Sequence, residues 1–324
     1  ATASTECRCV RQIHFCIINM KTFLALTKRN VKMFFKDKGM FISSLITPII
    51  LLVLYSTFLA KIYRDSFMSG IPENIAFSKT LINGMVGGEL VSSLLAVSCV
   101  TVAFCSNLLM VNDKVSGARK DMLVSPCKRS IMALSYYCSS LIATLIVAYV
   151  ALGASFIYIA VQGWYLSIVD VLLVILDVFL LSMFGVALSS IVNCFLKTSG
   201  QASAVGTVVS SGYGFICGAY MPISNFGSGL QKVLSLLPGT YGTSLIRNHM
   251  MQGSFAEMNK QGLAQGIEEN QMNEILKGVK RSIDCTFDFF SHPVTIVGMY
   301  SVIIGTIVLL ITIYVLIQKF RKEQ

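Results

Sequence analysis

Charge is what this sequence has least of. Only 13% of its residues are Asp, Glu, Lys or Arg, against about 25% in an ordinary soluble domain. So little charge cannot coat a water-facing surface of this size, which argues against a soluble globular enzyme. Histidine is scarcer still: His14, His249 and His292 are far apart in the sequence, and no metal site or Ser–His–Asp grouping is indicated. No GxxxxGKS or GxxxxGKT stretch occurs. Gly117-Ala118-Arg119-Lys120 is too short for one and lacks its second glycine, so no phosphate loop for ATP is present. Cysteine is not scarce, but Cys7 and Cys9 form a lone CxC with no second pair. Most other cysteines sit in apolar runs, where Cys acts as a small hydrophobe. Neither a zinc site nor a disulfide framework follows.

What is abundant is hydrophobic length: 54% of the residues are apolar. A helical crossing needs about 20 residues without charge. Residues 39–60 lie uncharged between Lys38 and Lys61, and residues 90–112 between Glu89 and Asp113. The uncharged stretch 130–169 is too long for one crossing, and Gln162-Gly163-Trp164-Tyr165 divides it with a turn and interfacial aromatics. The next run reaches Leu196 and includes Asp170 and Asp177. Stretches 198–231 and 293–318 follow. The expectation is an all-α polytopic membrane protein with six spans, at about 40–60, 84–111, 130–161, 167–196, 200–221 and 294–317. Residues 233–246 are apolar but too short to cross and contain Pro238-Gly239. They predict an outer re-entrant or interfacial helical hairpin before the last span. The outer segment 222–293 includes the polar stretch Met250–Ser291, and short helices outside the membrane are expected there. Residues 1–19 are set apart as an N-terminal extension, because Met20-Lys21 reads as a start, and 319–324 form a tail.

The net charge of +10 is carried at the ends of these runs, which indicates contact with anionic headgroups rather than nucleic acid. Most Lys and Arg fall before the first span, in the loop after the second and at the chain's end. Both termini are therefore predicted to be cytoplasmic. Residues 20–38 read as a cytoplasmic amphipathic interfacial helix. Phe23, Leu24, Leu26, Val31, Met33, Phe34 and Phe35 fill one arc, and Lys21, Lys28, Arg29, Lys32 and Lys36 the other. The loop from Asn112 to Pro126 alternates charges of both signs. It suits either docking on a soluble protein or a plain solvated connector.

Three stretches together resemble the permease subunits of type-2 ABC transporters, of the kind named for daunorubicin resistance. The first runs from Thr27-Lys28-Arg29-Asn30 to Thr47-Pro48-Ile49-Ile50. The second runs from Lys114-Val115-Ser116-Gly117 to Leu123-Val124-Ser125-Pro126, though the acid that usually opens that loop is Glu and here the nearest is Asp113. The third is Gly218-Ala219-Tyr220-Met221-Pro222 followed by Leu236-Leu237-Pro238-Gly239-Thr240-Tyr241 and Arg247. The resemblance implies a non-catalytic membrane subunit that binds no cofactor itself, with ATP and Mg on a separate cytoplasmic ABC ATPase. It implies a second permease chain, identical or paralogous, in the plasma membrane of a prokaryotic cell. It also implies export of a drug-, peptide- or lipid-like amphipathic substrate.

On that resemblance the coupling loop comprises Asp113, Lys114, Gly117, Arg119, Lys120 and Pro126, with Asp113, Arg119 and Lys120 as its polar contacts. The basic face of the interfacial helix, Lys28, Arg29, Lys32 and Lys36, lies beside it. Gly206, Gly212, Gly214 and Gly218 of the fifth span are expected to pack against the pathway or a second chain, since small residues let helices approach closely. Glu89 and Asp170 are expected near the outer interface, where water reaches them. Asp177 alone reads as deep, with either a substrate or proton role or a hydrogen-bonded structural one. Two alternatives stand beside the permease: a proton-coupled secondary transporter, and a non-transporting anchor or immunity protein.

Overall fold

Asp37 sets the geometry of the N-terminal helices. The computed structural model describes residues 2–54, 57, 60–69, 75–124, 127–289 and 292–320. In it, helix α1 (Thr2–Lys36) meets α2 (Lys38–Leu54) at a bend of 73°. The Asp37 carboxylate accepts the Met40 N–H at 3.1 Å, satisfying a donor that α2 would otherwise leave open. On α1, Thr27, Asn30 and Phe34 are buried at helical spacing and face α7 (Arg129–Gln162), while Lys28, Lys32 and Lys36 stay exposed. Leu24 and Met33, expected within the apolar face, are exposed. At 100° per residue they flank the buried stripe instead of lying in it.

The centre is α4 (Lys79–Ser106), buried on nearly all sides, as a helix apolar all round should be. Ser78 caps its start, accepting the Leu81 N–H at 3.3 Å. Around it pack α2, α7, α8 (Ile168–Phe195), α9 (Ser199–Ile216) and α11 (Pro238–Ala264), with α13 (Ile296–Phe320) against α7, α8 and α11. A short α3 (Ala60–Ser69) lies along α4. At Asn107 the chain breaks and resumes as α5 (Leu108–Val115), so the second apolar run is longer than expected at both ends.

Among the described residues, four helical segments are long and apolar enough to cross a bilayer: 79–115, 129–162, 168–195 and 296–320. A fifth is reached if the bent α1–α2 pair counts as one. Helix α9, expected as the fifth span, is not among them. Its 18 residues rise only about 27 Å, short of a hydrocarbon core of ~30 Å, and Gln201, Ser203, Ser210 and Ser211 dilute its apolar character.

The segment between α9 and α13 holds α10 (Ser228–Leu234), α11, α12 (Glu269–Ser282) and a two-stranded antiparallel ribbon, β1 (Asp288–Phe289) with β2 (His292–Pro293). Helices α10 and α11 stand where the hairpin was expected, with Pro238 at the first turn of α11, where its missing N–H costs nothing. Of the short helices expected from Met250 onward, α12 is present, but a long helix precedes it. Helix α11 runs on to Ala264 and buries Met250, Met251, Phe255 and Met258 in the core, their spacing being helical.

Candidate functional site

The loop after α4 is tied inward at Asp113, Lys114 and Arg119. It forms α5, a turn at Gly117 (φ +84°, a conformation glycine adopts without strain) and α6 (Ala118–Val124). Asp113 is buried and accepts three donors: both terminal nitrogens of Arg29, Nη2 at 3.0 Å, and the Tyr136 hydroxyl at 2.6 Å. One carboxylate thus joins α1, α5 and α7. The hydrogen bond to Asp113 holds the Arg29 guanidinium still further into its charged form. Lys114 Nζ donates to the carbonyls of Asn193, Cys194 and Leu196 at 2.7, 2.9 and 3.3 Å. These are orphan acceptors at the end of α8, the negative pole of the helix, where a cation is favoured. Arg119 is buried and donates to Gln318 Oε1 on α13 at 2.8 Å.

The residues expected as surface contacts therefore divide. Asp113 and Arg119 are inside. Lys120 is exposed beside Asp121 and Val124, whose exposure reaches 88%. Pro126 lies outside the described residues. Lys28, Lys32 and Lys36 are exposed on neighbouring α1, with Arg29 turned in to Asp113.

Behind the loop, the break at Asn107 is held by a buried polar seam. Asn107 Nδ2 donates to Ser189 and Ser190 at 3.0 and 2.8 Å, its carbonyl accepts Asn193 Nδ2 at 3.1 Å, and Ser140 donates to its side-chain oxygen at 3.3 Å. The α4–α5 shaft, α7 and α8 are locked together just above the loop. The sequence marked this seam only as serines and asparagines inside apolar runs.

The four glycines singled out on the fifth run also divide. A Cβ at Gly206 or Gly212 would meet nothing within 4 Å. They lie on a helix that also exposes Val208, Phe215 and Ile216. Gly214 instead lies under the Tyr220 ring, and Gly218 adopts φ +73° to reverse the chain, closed by Ala219 N–H donating to the Gly214 carbonyl at 2.8 Å.

Three acids sit toward the other end, and the expectations that Glu89 and Asp170 are reached by water and that His249 stands alone are corrected, Asp170 being buried as well. Glu89, expected within reach of water, is 0% exposed and lies 2.9 Å from Arg247 of α11. His249, which looked isolated, shares a 2.6 Å hydrogen bond with Asp177, and Tyr300 of α13 donates to the same carboxylate at 2.7 Å. Arg247 and His249 both come from helix α11, whose polar composition hid its place in the core. Asp170 caps α8 in a reciprocal pair with Ser167. Among the described residues no three His, Cys, Asp or Glu gather as a metal site.

The family model described as ABC-2 type transporter matches residues 21–251 of this chain. No curated protein matches it.

Proposed function

The chain belongs to the ABC-2 type transporter family and is a membrane permease component of an ABC transporter, and we propose that it is the transmembrane half of an ATP-driven exporter. Two such chains, identical or paralogous, line one pathway. A separate cytoplasmic ABC ATPase, carrying the ATP and Mg, drives them by pressing on α6 and the basic face of α1. The substrate is an amphipathic drug-, peptide- or lipid-like molecule moved out of the cytoplasm. The membrane is the plasma membrane of a prokaryotic cell with both termini inside, as the basic residues of α1, the α5–α6 loop and Lys319 favour.

The observation that carries this reading is the inward tethering of the loop. Asp113 connects to α1 and α7, Lys114 to the end of α8, and Arg119 to α13. A displacement of the exposed tip reaches four helices through short charged contacts. In this reading Asp113 and Arg119 transmit force, while Lys120, Asp121 and Val124 touch the ATPase. Lys120→Glu combined with Val124→Asp is expected to weaken ATPase binding by tenfold or more, ~1.4 kcal/mol, without shifting the melting temperature. Unchanged binding would refute the docking site.

Helix α9 supplies the sixth crossing in this reading, completed by the second chain. Its open glycines and exposed Val208, Phe215 and Ile216 support that role, since small residues admit a neighbouring helix in lipid. Gly212→Trp fills only the open side. It is expected to abolish pairing of permease chains, read by cross-linking in the membrane, and to leave the single chain folded. Pairing at the wild-type level would place the interface elsewhere.

The Asp177–His249–Tyr300 group favours a second reading, a proton-coupled carrier. In that case transport persists without any ATPase and stops in Asp177→Asn.

A further inference from the structure

Arg247 is among the largest side chains that the fold buries completely. Its Nη2 carries two hydrogens, and the structure directs both: to Ser93 Oγ on α4 at 3.0 Å and to the Gly218 carbonyl past the end of α9 at 2.7 Å. Glu89 Oε1 lies 2.9 Å from that same nitrogen, yet no hydrogen is left for it, and neither Glu89 oxygen has a hydrogen-bond partner. The other acid is differently placed. Asp284 faces Arg247 Nη1 at 3.6 Å and also accepts the backbone N–H groups of Ile223 and Ser224, the latter at 3.3 Å.

The two carboxyl groups are therefore not equivalent. Asp284 has donors suited to an ionised group and balances the guanidinium. Arg247 Nε and Nη1 are likewise without a hydrogen-bond partner, so among the described residues, beyond the two backbone N–H groups on Asp284, the single guanidinium is the one positive charge facing two acids. Ionising Glu89 as well would leave an excess negative charge at a site with no exposure to water. Such a charge costs several kcal/mol, whereas a neutral carboxyl avoids the largest part of that cost.

We propose that Glu89 is a proton-binding site: the fold holds its carboxyl protonated, and the Glu89–Arg247–Asp284 node is neutral with that one proton bound. Among the described residues the other titratable groups facing the node are Tyr63 on α3, Cys217 past the end of α9 and Cys285 beside Asp284, and none brings a positive charge. Lys280, within range of Cys285, is engaged over the Phe255 ring at 5.0 Å. The node joins α4, α11, the exit of α9 and the turn after α12. Any opening of that junction that admits water to Glu89 releases the proton, so its departure reports the opening. This inference stands independently of the ATPase and of the substrate.

The test is infrared spectroscopy of the full chain in lipid nanodiscs at neutral pH. A protonated-carboxyl C=O stretch is expected in the wild type. It should fall to background in Glu89→Gln and survive in Asp177→Asn, which separates the two buried acids. Glu89→Gln reproduces the shape and neutrality of the protonated side chain, so its melting temperature is expected to stay at the wild-type value. Absence of the band from the wild type overturns the proposal, as does a band that persists in Glu89→Gln. Failure of Glu89→Gln to fold overturns it equally.

Discussion

Asp113→Ala is expected to destabilise the junction of α1, α5 and α7 by about 3 kcal/mol. This is the low end for breaking a buried ion pair, because the Arg29 side chain, one third exposed, can turn to water. The Tyr136 hydroxyl, left buried without its acceptor, adds to the loss. The expected readouts are a lower melting temperature in nanodiscs and a double-mutant cycle with Arg29→Ala in which the second substitution costs much less than it does alone. The functional expectation is sharper: the exposed tip of α6 is untouched, so ATPase binding survives while transport is lost. If transport survives at the wild-type rate, the Asp113 tether carries no stroke.

Gly253→Ala is expected to be the most damaging single methyl in the molecule. A Cβ at Gly253 would overlap the Tyr165 carbonyl oxygen, a backbone atom that cannot rotate away. The turn that holds Tyr165 is itself wedged, since Gly163 has φ +150° and its own added Cβ would lie 2.8 Å from the Thr80 carbonyl. Helix α11 must therefore separate from the α7–α8 turn, opening the core around Met250 and Met251. A loss of 4 kcal/mol or more is expected, in the range of severe core lesions. Gly206→Ala is the contrast. With nothing within 4 Å, it should gain up to ~1 kcal/mol from helix propensity. Equal melting temperatures for the two variants would contradict this account of the packing.

The fold was legible wherever physical chemistry acts along the chain. Missing charge marked the apolar helices, Gln162-Gly163 marked the division between α7 and α8, and Lys28, Lys32 and Lys36 marked the exposed face of α1, while the arc read as apolar took in the exposed Leu24 and Met33 and left out the buried Thr27 and Asn30. The loop was legible as a mixed-charge segment between spans. The direction of its side chains was not, because Asp113 has partners 84 and 23 residues away and nothing local distinguishes a buried acid from a docking one. Helix α11 misled for a related reason. Residues such as Arg247, Asn248 and His249 look external, and they are buried where Ser93 and the Gly218 carbonyl meet Arg247, the Cys285 carbonyl meets Asn248 and Asp177 meets His249. Long-range pairing of polar groups leaves no periodicity to find. The glycines of α9 carried the opposite ambiguity: small residues signal close approach but not whether the neighbour belongs to this chain or another.

The central claim is that this permease is driven by a separate ATPase seated on α6 and α1. Its most direct test is gentle purification of the chain from its native membrane, with its partners weighed intact. The account predicts a soluble ATPase at one copy per permease chain, two permease chains in the assembly, and loss of the ATPase alone in the Lys120→Glu, Val124→Asp variant. A chain that emerges without an ATPase, and still transports when ATP is absent, would contradict it.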